Sequence, residues 1–487
     1  AVDKTKVDAL LADTTGTVTI GILSEDKTDI QTIGKNDYAA NHANVKYNKA
    51  SLAGATINVS NTVNKTEAET IAGFLGGSGS VVLSDFSGLA AEFTAKAGTS
   101  GINARINAST ATVTVTDAVS KSTADSLNTL AGGQVTLQSV EDEYAKLIQI
   151  DGLTTSEVTM AAAAVKVTDA VNKTKVDALL ADTTGTVTVE LITEDAADLL
   201  TIGKSDYAAN HANFKYNKLS LSGAALTVTG STNKTNALTL KGYAGASGSV
   251  TLQGASGSLT DLQDLHDDSK IDISTASLSI TGTVSKSDLT TANTFTNKTV
   301  TVANTFSGSY DDMTDIYAVR QSQSASGVDG VDISTAAITL TGTINLSKAS
   351  TVNGYTNKTV TVGTLEDNMS NVTSVYNLRP NAPAVDGVSI ASAAITVTSA
   401  VSKANADTLN NYTNGQVTLQ SVEDEYAKLI QIDGLTTSEV SMAAAAVKVT
   451  DAVNKTKVDA LLADTTGTVT IGILSEDKTD IQTIGKN

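Results

Sequence analysis

The sequence has no cysteine, no tryptophan and only two prolines in 487 residues, and aromatic residues make up 4% of it. Without cysteine there is no disulfide framework, no thiolate zinc site and no thiol nucleophile. No run of about 18 apolar residues occurs, so no segment reads as a membrane-spanning helix. Lys plus Arg is 33 against 52 for Asp plus Glu, a net charge of −19. That leaves no basic stripe to displace counterions from nucleic acid. Ala1 is neither an initiator methionine nor the start of a secretory signal, which reads as a processed product or an internal stretch of a longer chain.

What is abundant is repetition. Gln134–Thr188 recurs at Gln416–Thr470 with the single change Thr159 to Ser441, and Ala1–Asn36 recurs at Ala452–Asn487 with Asp3 replaced by Asn454. Looser copies fill the space between, each with an alternating apolar run: Ile57–Ser60, Val113–Thr116, Val165–Thr168, Leu226–Thr229, Leu278–Thr281, Ile338–Thr341, Ile395–Thr398 and Val447–Thr450. The steps of roughly 52 to 61 residues divide the chain into 1–54 (partial), 55–110, 111–163, 164–224, 225–276, 277–336, 337–393, 394–445 and 446–487 (partial). This is one array of about eight units of ~56 residues over 1–487, not a set of separate domains.

Each unit has a fixed internal order. The alternating run predicts a strand with one buried face. A short helix follows, with polar caps and an acid three residues on at Thr66/Glu69, Ser122/Asp125, Thr174/Asp177 and Thr456/Asp459. Gly79, Gly133, Gly185, Gly415 and Gly467 then suit the positive φ that ends a helix. A second strand begins at Val81, Val135, Val187, Val250, Val300, Val360 or Val417, and an acidic segment after it predicts a second short helix. A third, shorter strand begins at Val158, Ile271, Val331, Val388 and Val440, often after an Asp-Gly turn such as Asp151-Gly152 or Asp433-Gly434.

A unit of this size has too little core to stand alone, so neighbours must complete it. Alternating rather than continuous apolar strands argue against a sheet covered by helices on both faces. The expected fold is a β-rich α/β repeat solenoid: parallel strand stacks, like strands of successive units paired, and short helices at the corners. Strands stack every ~4.8 Å but helices need roughly 8–10 Å. Curvature, tilted helices or two strands per unit would each reconcile the two spacings.

Catalytic chemistry has little to draw on. Histidine occurs only at His42, His211 and His266, without a second histidine at helical spacing, and arginine only at Arg105, Arg320 and Arg379. No nucleophile elbow or phosphate loop is present, so no catalytic or cofactor-binding residue is assigned. The acidic runs Glu141-Asp142-Glu143 and Glu423-Asp424-Glu425 are calcium candidates, with Asp267-Asp268 and Asp311-Asp312 behind them. Equally, they read as solvated acids at helix starts. The outward threonines of the strands resemble an ice-binding row, but Asn58, Lys166 and Lys448 interrupt it. Asn-x-Thr triplets at Asn64, Asn172, Asn233, Asn297, Asn357 and Asn454 suit glycan acceptors or turns. The insert Tyr38–Asn44 and its twin Tyr207–Asn213 are the place to look for an adhesin-type ligand contact.

The Thr-Val-Thr strands, the Ala-Asp-x-Leu helices and the Thr-Thr-Gly-Thr-Val-Thr turns at Thr14–Thr19, Thr183–Thr188 and Thr465–Thr470 together resemble the repeat regions of giant cell-surface proteins of marine cyanobacteria, the motility-associated and adhesin-like surface proteins. That resemblance implies an extracellular structural role without catalysis: a cell-surface filament, fibre or layer, with contacts to the cell surface or matrix. Ala1 and Ala452 occupy the same phase, and Asn487 stops where Asn36 is followed by Asp37. This suggests self-association or continuation along a fibre axis.

Overall fold

The computed structural model describes residues 1–34, 45–94, 102–150, 153, 158–203, 214–325, 330–378, 387–432, 435 and 439–485. These form two compact bodies, Ala1–Thr229 with Asn236–Thr251 and Gly230–Thr235 with Leu252–Asn487. Each body is a β-rich α/β repeat array of parallel strands with a short helix after each long strand. Among the described residues no helix is long and apolar enough to cross a membrane.

One repeat serves for all. A first strand, Thr112–Val119, leads into the helix Lys121–Leu130, and a second strand, Val135–Asp142, into the helix Tyr144–Leu147. The two-residue third strand Val158–Thr159 and a tight corner then deliver the chain to the next first strand, Ala164–Val171. Val113, Val115 and Val119 are buried and the residues between them are not, which is the two-residue period of a strand with one face inward. From the helices, Ala124, Leu127 and Leu147 complete the interior.

Among the described residues the strand pairing is parallel, and like strands of successive repeats are not partners. The first strand pairs with the second strand of its own repeat, Val113 facing Val135 and Val115 facing Leu137. The latter half of the second strand pairs with the start of the next first strand, Ser139 facing Ala164 and Asp142 facing Val167. Its beginning faces the third strand, Val135 with Val158. Each repeat is therefore two coils rather than one, each coil a strand followed by a helix. Two strands per repeat is the arrangement adopted.

Between Val115 and Ala118 the register shifts, so that Thr116 and Asp117 lie opposite Gln138 alone. The same two-against-one bulge recurs after Val59, Val167, Leu340, Val397 and Val449. A bulge turns its extra side chain away from the ladder, and here that side chain is put to use.

Three helices carry the identical sequence KTKVDALLAD: Lys4–Asp13, Lys173–Asp182 and Lys455–Asp464. In the middle one Leu179 and Leu180 are 0% and 4% exposed. In the first, Leu10 is 47% exposed and Leu11 is 4%; in the last, Leu461 is 0% and Leu462 is 51%. The first leucine is covered by the preceding coil; the second stays exposed in the last copy although the coil Val469–Ile484 follows it, and in the other two copies the turns Val45–Lys49 and Phe214–Lys218 pack on the helix. The core is thus shared from coil to coil, and burial of a leucine side chain, worth about 1.5–3 kcal/mol, depends on a neighbour.

Two expected details change. The helix caps sit two residues earlier than the Thr/Ser positions read from sequence. Asn64, Ser120, Asn172 and Asn454 cap, their side chains accepting from the N–H of Glu67, Thr123, Lys175 and Lys457. Asparagine and serine hold that acceptor close to the backbone, as an N-cap needs. It follows that the Asn-Lys-Thr triplets at 64, 172 and 454 are cap sequences. The glycines after the helices also have a different reason. Only Gly79 of the five has a positive φ, +99°. At Gly185 and Gly467 an added Cβ would sit 2.1 Å from the carbonyl oxygens of Ala163 and Ala445, and at Gly415 2.3 Å from that of Ala393. Close approach of two backbone corners, not helix termination, excludes a side chain there.

Candidate functional site

The polar side chains that distinguish the repeats collect where strands end and helices begin. In six of the first helices the opening backbone N–H donates to a carboxylate at the end of the second strand, 21 residues further on; at the helices opening with Lys65, Lys234 and Lys286 that place holds Phe86, Ala255 and Ser307 instead. Lys4 donates to Glu25 Oε1 (2.6 Å), Lys121 to Asp142 Oδ2 (3.0 Å) and Lys173 to Glu194 Oε2 (3.0 Å). Leu346 donates to Asp367 Oδ2 (3.0 Å), Lys403 to Asp424 Oδ2 (3.1 Å) and Lys455 to Glu476 Oε1 (2.7 Å). An anion at a helix start satisfies an orphan amide and meets the positive end of the helix dipole.

The second helices are served from the next repeat. The N–H of Ala90 donates to Asp117 (2.8 Å), that of Tyr144 to Asp169 (2.6 Å) and that of Tyr426 to Asp451 (2.7 Å). Lys27 uses Asn61 (2.8 Å) and Met369 uses the hydroxyl of Ser399 (3.0 Å). All five acceptors lie in the bulge region, whose outward turn brings them over the neighbouring helix.

The calcium candidates belong to this system. Glu141 pairs with Lys166 at 2.8 Å, Asp142 accepts from Lys121 and Glu143 N–H and lies 3.2 Å from Lys146, and Glu143 is 3.3 Å from the same lysine. In the second copy Glu423 pairs with Lys448 (2.7 Å), Asp424 with Lys403 N–H, Glu425 N–H and Lys428, and Glu425 with Lys428 (3.4 Å). In each run the first carboxylate goes to a lysine on the neighbouring strand, while the other two share one lysine and the second also holds a helix-opening amide. Partial burial opposes ionisation of Asp142 and Asp424, but the two N–H donors and the nearby lysine outweigh it and hold both carboxyls below their ordinary value. Asp312 accepts at the start of its helix from Ser309, Asp268 accepts from the N–H of Lys270, and Asp267 faces His266.

Two trios that the sequence reading passed over do converge: Glu25/Asp26/Asp29 and Glu194/Asp195/Asp198 each bring three carboxylates within 4.8 Å. Their oxygens already accept from Lys4, Asp29, Lys173 and Asp198 N–H. Three ligand atoms fall short of the six to eight oxygens that calcium takes. Lys166 reaches Glu141 on one side and Glu190 on the other, both at 2.8 Å, so the interruption of the threonine row is itself a bridge across three strands.

A second polar link was missed because threonine is common throughout the chain. At the corner after the first helix, buried Thr183, Thr413 and Thr465 donate to the carbonyls of Ala163, Ala393 and Ala445 at 2.7 Å. Their hydroxyl oxygens accept from Gly185, Gly415 and Gly467 at 2.9 Å. Thr296 and Thr356 do the same with Lys298 and Lys358 as donors. The signal is a threonine two residues before the Gly or Lys that precedes the second strand. Thr183→Val keeps the shape but leaves a buried carbonyl and an N–H without this partner. A loss of about 1–3 kcal/mol is expected in denaturant unfolding, and no loss would deny the hydroxyl its linking role.

His266 stacks on Phe295 and its Nδ1 faces Asp267. Arg105 donates from Nη1 to the carbonyl of Gly76. His42, His211, Arg379, the inserts around Tyr38 and Tyr207 and the turns at Asp151-Gly152 and Asp433-Gly434 lie outside the described residues, as does the side chain of Arg320. Among the described residues, carboxylates, amides and hydroxyls repeatedly join one coil to the next, alongside caps and ion pairs within single helices.

No family model and no curated protein matches the chain. Among solved structures, a chain of the yeast Rad7 and Elc1 complex is similar over 74% of this chain and 79% of that one, at 9% identity and a TM-score of 0.14. A likeness that low carries no argument. The fold and its links define a repeat protein built of stacked strand–helix coils.

Proposed function

We propose that the chain is a structural repeat protein, without catalysis, that forms or extends an extracellular filament, fibre or layer at a cell surface. The observation that carries this reading is the behaviour of the three KTKVDALLAD helices. The first leucine needs the coil before it and the second needs chain beyond the next coil, so the array lengthens by adding whole repeats with no new kind of contact. The net charge of −19 keeps such assemblies from clumping. The cell-surface placement rests on the resemblance of the Thr-Val-Thr strands and their turns to repeat regions of giant surface proteins.

The test is a series of chains carrying one or two extra copies of residues 113–164, measured by small-angle scattering. The longest dimension is expected to grow by equal increments per copy. A dimension that stays constant, or grows as a flexible string of beads would, defeats the reading. Antibody labelling of intact source cells tests the surface placement, and label appearing only after permeabilisation would refute it.

A further inference from the structure

Aromatic rings are scarce in this chain, yet a set of them falls at fixed places. Count eight residues on from the residue before each second helix, and ten on from the residue before the first helix of the next repeat. The pairs obtained are Gly34/Phe74, Gly203/Tyr243, His266/Phe295, Tyr317/Tyr355 and Tyr376/Tyr412. In the last three, rings stack with centroids 4.6, 3.9 and 3.8 Å apart and planes 26°, 12° and 16° from parallel. In the first two, the ring of the later helix lies against bare glycine backbone. A Cβ on Gly34 would be 2.2 Å from the Phe74 ring, and one on Gly203 2.2 Å from that of Tyr243.

Two further joints follow the same logic. Where the second helix is only Tyr144–Leu147 or Tyr426–Leu429, it is too short to reach the eighth place. The next first helix then carries Asp182 or Asp464 at its tenth place instead of a ring. Among the described joints, a ring stands at the tenth place only where the earlier helix extends to the eighth.

We propose that this residue pair is the specificity determinant of the joint between repeats: it decides which repeat end accepts which repeat start. Glycine admits a ring seated on the backbone, an aromatic residue admits a ring stacked face to face, and a short helix admits neither. Each of these joints is matched, and changing one member of a pair without the other mismatches it.

The test is a reciprocal substitution in the full chain at the Gly203/Tyr243 joint, read by thermal melting and by hydrogen exchange in the helix Lys234–Ala244. Gly203→Ala alone is expected to lower Tm and speed exchange in that helix, because its Cβ collides with the ring. In a Tyr243→Ala background the same substitution is expected to be neutral or to raise Tm, since alanine is otherwise the better helical residue. At the stacked joint, Tyr376→Ala and Tyr412→Ala together are expected to cost no more than the worse of the two alone. An equal effect of Gly203→Ala in both backgrounds, or strict additivity of Tyr376→Ala and Tyr412→Ala, overturns the proposal.

Discussion

Deleting residues 113–164, one whole repeat, is expected to leave a chain that folds and melts cooperatively, whereas deleting 113–134, a single coil, is expected to damage it far more although less is removed. The first deletion preserves every kind of partner. Phe86, which faces Val113, meets Val165 instead, and Ala90 N–H, which donates to Asp117, finds Asp169 at the same offset. In a nearest-neighbour array the cost is one repeat and one interface. The second deletion joins Thr112 to Val135, so a second strand follows a second strand. The bulge that carries Asp117 is gone and Ala90 N–H loses its acceptor. Asp142 loses the N–H of Lys121, the opening amide of a deleted helix. Each stranded polar group costs about 1–3 kcal/mol, before any loss from the doubled register step. Circular dichroism melts and denaturant titrations of the two chains decide the matter. Equal stabilities would mean that the coil, not the two-coil repeat, is the structural period.

Which features were legible beforehand follows from how they are encoded. The strands could be read because their signal is local: Val113, Thr114, Val115 and Thr116 alternate, and burial alternates with them. The third strands at Val158 and Val440 were legible from their fixed distance to the next first strand. Pairing order was not, because Val113 prefers Val135 to a like residue one repeat away for reasons of chain path, and an alternating pattern fits either partner. The caps were misplaced by two residues because Asn64 and Thr66 are both good cap residues and only the backbone shows which lies outside the helix. The acids of 141–143 were visible as a cluster, but their division among Lys166, the helix amide of Lys121 and Lys146 depends on strands and helices 20 or more residues away on either side, or on one turn of helix. The ring pairs were hidden for the same reason. Tyr376 and Tyr412 are far apart in the chain and become neighbours only when counted from their own helix starts.

Acid is expected to unfold this protein through its caps. Glu25, Asp142, Glu194, Asp367, Asp424 and Glu476 hold first helices, and Asp117, Asp169 and Asp451 hold second helices to the following repeat. Asp142 and Asp424 have folded-state pKa values below the ordinary 3.8. A depressed carboxyl stabilises the fold above its unfolded pKa, and the contribution is lost as pH falls through the folded value. Stability should therefore be flat from pH 8 to about 5 and fall steeply below about 4. There, protonation of the 52 acids also leaves 33 Lys and Arg residues unopposed, and the resulting repulsion works in the same direction. The variant Asp142→Asn with Asp424→Asn keeps an acceptor at each helix start and removes only the charge. At pH 7 it should lose about 0.5–2 kcal/mol per site, and the deficit should shrink as pH falls below 3.8 toward the lowered folded values of these carboxyls, where protonation removes the same charge from the unsubstituted protein. If the deficit were the same at pH 3 as at pH 7, the carboxylates would be acting by shape alone, and the acid transition would have to come from net charge rather than from the links between coils.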